Sequence, residues 1–221
     1  VEMDGSGLET SLLERSGADI AYVMPSHQYP TGIVMPVKRR QELLSWACKK
    51  EGRYLIEDDY DSEFRYNGKP IPALQGMDGR ERVIYSGTFS KSVAPAIRVS
   101  YLVLPKPLLA VYRERVNFYT STVSRIDQNI LYQFMMGGYY ERHLNRMRAV
   151  YKAKHDTLIG ALKPFEKQFT IKGEYAGLHL LLTDKKNRTE EWLVKSAKQA
   201  GVKVYGLSSY LIREGKAVVV P

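Results

Sequence analysis

Val83-Ile84-Tyr85-Ser86-Gly87-Thr88-Phe89-Ser90-Lys91-Ser92-Val93-Ala94-Pro95-Ala96-Ile97-Arg98 is the stretch on which the reading of this chain turns. An apolar strand runs into a small, hydroxyl-rich turn that carries one lysine, and an arginine closes the stretch. Lysine is costly to bury unless something uses it. A desolvated lysine near other cations loses its proton more easily and becomes a nucleophile toward carbonyls. The carbonyl that suits such an amine is the aldehyde of pyridoxal phosphate. Thr88, Ser90 and Arg98 then read as phosphate ligands, two hydroxyl donors and one forked cation.

Upstream, Tyr54-Leu55-Ile56-Glu57-Asp58-Asp59-Tyr60 is an apolar strand ending in carboxylates and a tyrosine. A pyridoxal ring is a good electron sink while its nitrogen is protonated, and a nearby carboxylate keeps it so. Asp58 is the candidate for that role, with Tyr60 donating to the ring's phenolic oxygen. Asp59 is the rival, because spacing alone does not separate neighbours. A lone lysine after a strand is usually a solvated loop residue, and an acidic pair at a strand end is usually a cap. The ordered combination, with the hydroxyls and the arginine close by, is what singles this chain out.

Several stretches together carry a family resemblance: His27-Gln28-Tyr29-Pro30-Thr31-Gly32, Met35-Pro36, Arg39-Arg40, Glu57-Asp58-Asp59-Tyr60-Asp61-Ser62-Glu63-Phe64 and Gly87-Thr88-Phe89-Ser90-Lys91. The chain resembles the aminotransferase-like domain of MocR/GabR regulators. These are GntR-type bacterial transcription factors that join a winged helix-turn-helix to a fold-type-I pyridoxal-phosphate domain. The resemblance implies an α/β fold, a mostly parallel sheet flanked by helices, with a small C-terminal α+β lobe. It implies an internal aldimine at Lys91 and an external aldimine with an amine or amino-acid effector, whose arrival closes the small lobe. It implies a cytoplasmic homodimer that touches DNA only through an N-terminal winged helix-turn-helix, which these 221 residues do not include. Related aminotransferases place before Pro-Thr-Gly an asparagine that touches the phenolic oxygen; here Tyr29 stands there. They clamp the substrate carboxylate with a small-domain arginine. In the matching region this chain has Ser209, with Arg213 nearby as the substrate-binding candidate. The family's phosphate loop and ring-stacking aromatic are not visible before Ile20, so the sequence reads as a fragment or the core of a longer polypeptide. Two rivals remain: a working aminotransferase of the 2-aminoadipate/kynurenine type, and a catalytically dead dimerisation scaffold. Whether the chain is an enzyme is left open.

Composition narrows the alternatives. The 33 Lys and Arg against 24 Asp and Glu give a net charge of +9, compatible with an anionic partner. The basic residues are spread out, with no run interleaved with aromatics. Cys48 is the only cysteine, so no intrachain disulfide forms, and a reducing compartment is the simplest expectation. Cys48 falls in a helical run and reads as core. No apolar stretch approaches the roughly 18 residues that span a bilayer. No signal peptide, metal-spaced Cys/His cluster, G-x-S-x-G or P-loop is present.

Periodicity then orders the chain into two parts, residues 1–137 and 138–221, hinged at Gly137-Gly138. The first holds a helix over Leu8–Arg15, a buried strand over Ile20–Met24, and a helix opened by Pro36 with Leu43, Leu44, Ala47 and Cys48 inward. Strands follow over Tyr54–Glu57, Val83–Ser86 and Arg98–Leu104, with an irregular loop over Gly68–Gly79. Strand–helix–strand spacing predicts parallel pairing with right-handed crossovers. Helices follow over Leu108–Tyr119 and Ser124–Met136. The second part opens on a long helix to Leu162, with Leu144, Met147, Tyr151, Leu158 and Ile159 as its apolar stripe. Strands at Phe169–Lys172, Leu178–Thr183, Val202–Tyr205 and Ala217–Val220, and a helix capped by Thr189 and stopped by Gly201, complete it. His179 reads as a structural histidine and His143 and His155 as surface residues. His27, in the cofactor-side loop, is open to either role.

Overall fold

The structure, a computed structural model, describes residues 1–66, 71–116 and 118–210. The organising element is a four-stranded sheet of β3 (Ile20–Val23), β4 (Tyr54–Asp59), β5 (Val83–Thr88) and β6 (Ser100–Val103), in that order. A two-stranded hairpin, β1 (Met3–Asp4) and β2 (Gly7–Leu8), precedes it. β3 pairs parallel with β4, and β4 parallel with β5. β6 returns antiparallel to β5, with Thr88 opposite Ser100. The sheet is therefore mostly parallel, as the resemblance implied.

One face of the sheet is covered. Strands alternate their side chains between faces, and Ala21, Val23, Leu55 and Val83 pack with Leu13 of α1 (Thr10–Arg15) and Leu43, Trp46 and Ala47 of α2 (Val37–Cys48). The other face is open: Ile20 and Tyr22 are 58% and 54% exposed. β3 is thus buried on alternate residues rather than throughout, because helices cover one side only. Trp46 takes the inward position expected of Cys48, which is exposed. At a helical pitch of 3.6 residues, Leu43, Trp46 and Ala47 share a stripe that Cys48 leaves.

Two buried charges tie this layer to its loops. Arg40 is 1% exposed and donates to the carbonyls of Met35, Pro72 and Pro25 at 3.1, 2.8 and 2.8 Å. Glu57, fully buried, accepts the Leu74 and Gln75 N–H groups at 2.9 Å each. Those donors open α3 (Leu74–Met77), a short helix inside the segment expected to be irregular. Helix N-termini present unpaired N–H groups, so a carboxylate placed there replaces its lost water.

α4 (Phe89–Ser92), α5 (Lys106–Arg115) and α6 (Arg125–Met136) lead to the long α7 (Tyr139–Leu162), and Gly138 at φ 65° makes the turn into it. Leu144 is buried on α7, but Leu158 is 49% exposed, so the stripe does not run its full length. His143 and His155 are half-buried, against Phe134 and Tyr66, rather than on the open surface. β7 (Phe169–Lys172) and β8 (Leu181–Asp184) form an antiparallel pair, followed by α8 (Glu190–Gln199). Thr189 caps α8 through the Trp192 N–H, and Gly201 follows at φ 77°. Residues 202–205 form no strand, β8 starts three residues later than expected, and Ala217–Val220 lies outside the described residues.

The segment between β7 and β8 is fastened to the sheet end. Gly177 N–H donates to Phe64 O at 2.8 Å, Tyr66 N–H to Tyr175 O at 3.1 Å, and His179 Nε2 to Pro30 O at 3.1 Å. Gly177, at φ 77°, has no alternative: a Cβ there would sit 1.9 Å from the His27 ring. Among the described residues no helix is long and apolar enough to cross a membrane, and no cluster of His, Cys, Asp or Glu could hold a metal ion.

Two outcomes follow. Leu43→Ala removes a fully buried side chain, so urea unfolding should show a loss of roughly 2–5 kcal/mol. Burial, with the His27 ring beside it, holds His179 below the ordinary histidine range. The unfolded chain then binds that proton more readily, so its stabilising share is present above about pH 6.5 and is lost as pH falls. Melting temperature should drop between pH 7 and 5, less steeply in His179→Gln; equal slopes would refute this.

Candidate functional site

Because β3, β4 and β5 run parallel, the segments leaving them emerge along one edge, and β6 begins at that same edge. Ligands of open α/β sheets bind beyond such strand ends. The edge carries His27–Gly32 after β3, Tyr60–Glu63 after β4 and Lys91 after β5, with Arg98 just before β6.

The turn after β5 is built by its own hydroxyls. Thr88 Oγ1 accepts the Ser90 N–H at 3.2 Å and donates to Val99 O at 3.2 Å. Arg98 stands in the left-handed region, φ 43°, with Nη1 3.5 Å from Ser90 Oγ. Ser90 and Arg98 are thus brought together. Thr88 spends its hydroxyl inside the turn and would have to leave Val99 to donate to a phosphate. Lys91 is exposed rather than desolvated, since α4 projects it from the uncovered edge. It lies close enough to His179 for its charge to oppose protonation there.

The neighbouring aspartates point opposite ways. Asp58 faces the open side, where Tyr22 donates its phenol to Asp58 Oδ2. Burial and that carboxylate push the Tyr22 phenol up to about 12. Asp59 faces inward and accepts from Ser62 Oγ and Tyr85 Oη, both at 2.7 Å. It lines a cavity of about 540 Å³ with His27, Arg40 and Asp61.

Tyr60 donates to His27 O at 2.9 Å. Burial first, then the Asp61 and Asp58 charges, drive its pKa far above the phenol range, so it keeps its proton. Tyr29 stands edge-on to Tyr60, centroids 6.3 Å apart, and donates to the Tyr210 hydroxyl at 2.8 Å. Arg213 lies outside the described residues. Sequence reasoning passed over Tyr22 and Asp61 and left His27 undecided. Tyr22 could have been found by strand alternation, since it and Asp58 fall on the same face. His27 and Asp61 are 34 residues apart, and no local pattern announces their contact.

This donor set suits pyridoxal phosphate. Ser90 and Arg98 present a hydroxyl and a guanidinium to an anion. Asp58 offers a carboxylate to a ring nitrogen, Tyr60 a phenol that stays protonated, and Lys91 an amine.

Comparison with known proteins agrees. The aminotransferase class I and II family profile matches residues 1–221. YdeL, an HTH-type transcriptional regulator of Bacillus subtilis, is 41% identical over 209 residues, 94% of this chain and 45% of YdeL. The probable rhizopine catabolism regulatory protein MocR of Rhizobium meliloti is 34% identical over 94% of this chain and 42% of its own length. Among solved structures, Pyrococcus horikoshii kynurenine aminotransferase superposes with a TM-score of 0.79 at 26% identity, over 92% of this chain and 53% of that one. Thermus thermophilus LysN, an alpha-aminoadipate aminotransferase, gives 0.77 at 25% identity, over 92% and 54%. The chain spans about half the length of the curated relatives it matches. With its fold and its sequence both matching, the chain belongs to the aminotransferase class I and II family.

Proposed function

We propose that this chain is the effector-sensing, aminotransferase-like part of a DNA-binding transcriptional regulator, and that it holds pyridoxal phosphate at Lys91. The observation that carries the reading is the convergence of Lys91, Asp58, Tyr60, Ser90 and Arg98 on one sheet edge. The regulator assignment draws support from YdeL and MocR, which this chain matches over 94% of its length. When bound, the cofactor supplies an aldehyde carbon and an electron-withdrawing ring.

The chain's own groups do the rest. Ser90 and Arg98 bind phosphate, with Thr88 shaping the turn and available as a further donor. Asp58, on the open face, holds a proton at the ring nitrogen; Asp59 already serves Ser62 and Tyr85. Tyr60 donates to the phenolic oxygen, and Tyr29 walls that side. Lys91 provides the amine that the amine of an effector, a primary amine or amino acid, replaces. Residues 1–137 form the cofactor-holding part and residues 138–221 the long helix and smaller lobe that responds. A ligand shifts such a lobe only by its differential affinity for the two postures. DNA is contacted through a winged helix-turn-helix outside these residues, in a homodimeric cytoplasmic protein.

Mixed with pyridoxal phosphate, the protein should gain a visible absorbance band that Lys91→Ala loses. Arg98→Ala removes a charge-assisted contact of about 1.5–3 kcal/mol, so the dissociation constant should rise roughly 10- to 100-fold. Amines should change the spectrum once, without keto-acid release. Sustained keto-acid production would instead establish a working transaminase, and a colourless protein would end the cofactor assignment.

A further inference from the structure

His27 and Asp61 make a buried pair that the proposed chemistry does not use. Each is 1% exposed, and His27 Nδ1 lies 2.9 Å from Asp61 Oδ2. The ring is enclosed on the remaining sides. His179 leans against it, centroids 4.4 Å apart and planes tilted by 41°, and Gly177 passes too close for any side chain. Burying an imidazole–carboxylate pair is expensive, and here neither partner is fully satisfied: His27 Nε2 and Asp61 Oδ1 have no hydrogen-bond partner among the described residues. A costly pair retained at a strand end needs a purpose.

That purpose is visible in what the pair touches. Tyr60 Oη lies 2.9 Å from His27 O and 3.2 Å from His27 Nδ1. The phenol oxygen is therefore gripped at two points by one residue. A carboxylate at Nδ1 selects the tautomer with its proton there. That N–H, shared between Asp61 and the phenol oxygen, draws density from the phenol and strengthens it as a donor. We infer that His27 and Asp61 are positioning residues for Tyr60: Nδ1–H holds the phenol oxygen in place, while the single phenol proton, resting on His27 O, turns from that carbonyl to the phenolic oxygen of the cofactor. The inference rests on the function proposed above for Tyr60. Beyond Asp61, the ionisable groups whose charge reaches Tyr60 are Tyr29, Asp58 and Asp59, Lys91 acts on the neighbouring His179, and Arg40, Glu63, Arg65 and Arg148 line the cavity that His27 and Asp61 share.

The test is a double-mutant cycle on the cofactor-loaded protein, read as the pH midpoint of its visible band and as cofactor affinity. Tyr60→Phe removes a donor to an oxyanion, so the midpoint should rise. Asp61→Asn should raise it in the same direction, by a few tenths to one pH unit, and weaken cofactor binding roughly 3- to 10-fold. In the Tyr60→Phe background Asp61→Asn should do neither. Loss of the Asp61 charge acting directly on the cofactor would lower the midpoint, so a fall, or an equal shift in both backgrounds, overturns the inference. No shift in Tyr60→Phe sinks the Tyr60 assignment itself; a shift there but none in Asp61→Asn sinks the positioning role alone. His27→Gln, which keeps the backbone carbonyl, serves where Asp61→Asn does not fold and must give the same cycle. In the cofactor-free protein, a downfield His27 Nδ1 proton should be seen by NMR and lost in Asp61→Asn; its absence refutes the pair.

Discussion

The parallel pairing of β3, β4 and β5 is the constraint on which everything else rests. A parallel register sends successive chain exits out of the same side of a sheet. It lets a lysine, an acid pair and a histidine loop, scattered over more than sixty residues, share one edge. Antiparallel pairing would have split them between two edges. The one antiparallel strand, β6, does related work: by running back from Thr88's partner Ser100, it brings Arg98 to the same place.

The two faces of that sheet are treated differently, and the site depends on the difference. The covered face is packed with apolar side chains and yet admits Arg40 and Glu57, each surrounded by backbone partners. Burial pushes the Glu57 carboxyl up, while the helix N–H groups and Arg40 pull against it. Such groups persist because removing one partner would strand the other in a medium that solvates charge poorly. The open face leaves Asp58 and Tyr22 paired with each other and uncovered by helices. Alternation along β4 separates the available carboxylate from the structural one within a single dipeptide.

The segment between β7 and β8 meets the sheet end through backbone contacts and a histidine rather than a broad apolar surface. Gly32 and Gly173 approach so closely that a Cβ on Gly32 would lie 3.0 Å from Gly173 Cα. Tyr29 and Tyr210 add a hydroxyl contact across the same junction.

The amino-acid sequence by itself determined the strand and helix pattern around Lys91, the helix stops at glycines, the Thr189 cap and the cofactor class. These are local: each depends on residues a few positions apart and on backbone preferences that survive any packing. It also named Asp58, with Asp59 as the rival that spacing could not exclude, and placed Cys48 inside. Only the tertiary structure shows that Asp58 faces the open side, Asp59 the covered one and Cys48 the solvent, because which face of a strand or helix is covered depends on what packs against it. The same holds for Lys91, whose exposure reflects an uncovered edge rather than its neighbours in sequence. The His27–Asp61–Tyr60 cluster was legible nowhere in the chain. Its members are joined by the sheet register and by a glycine that lets a distant segment pass, and neither leaves a periodic or compositional trace.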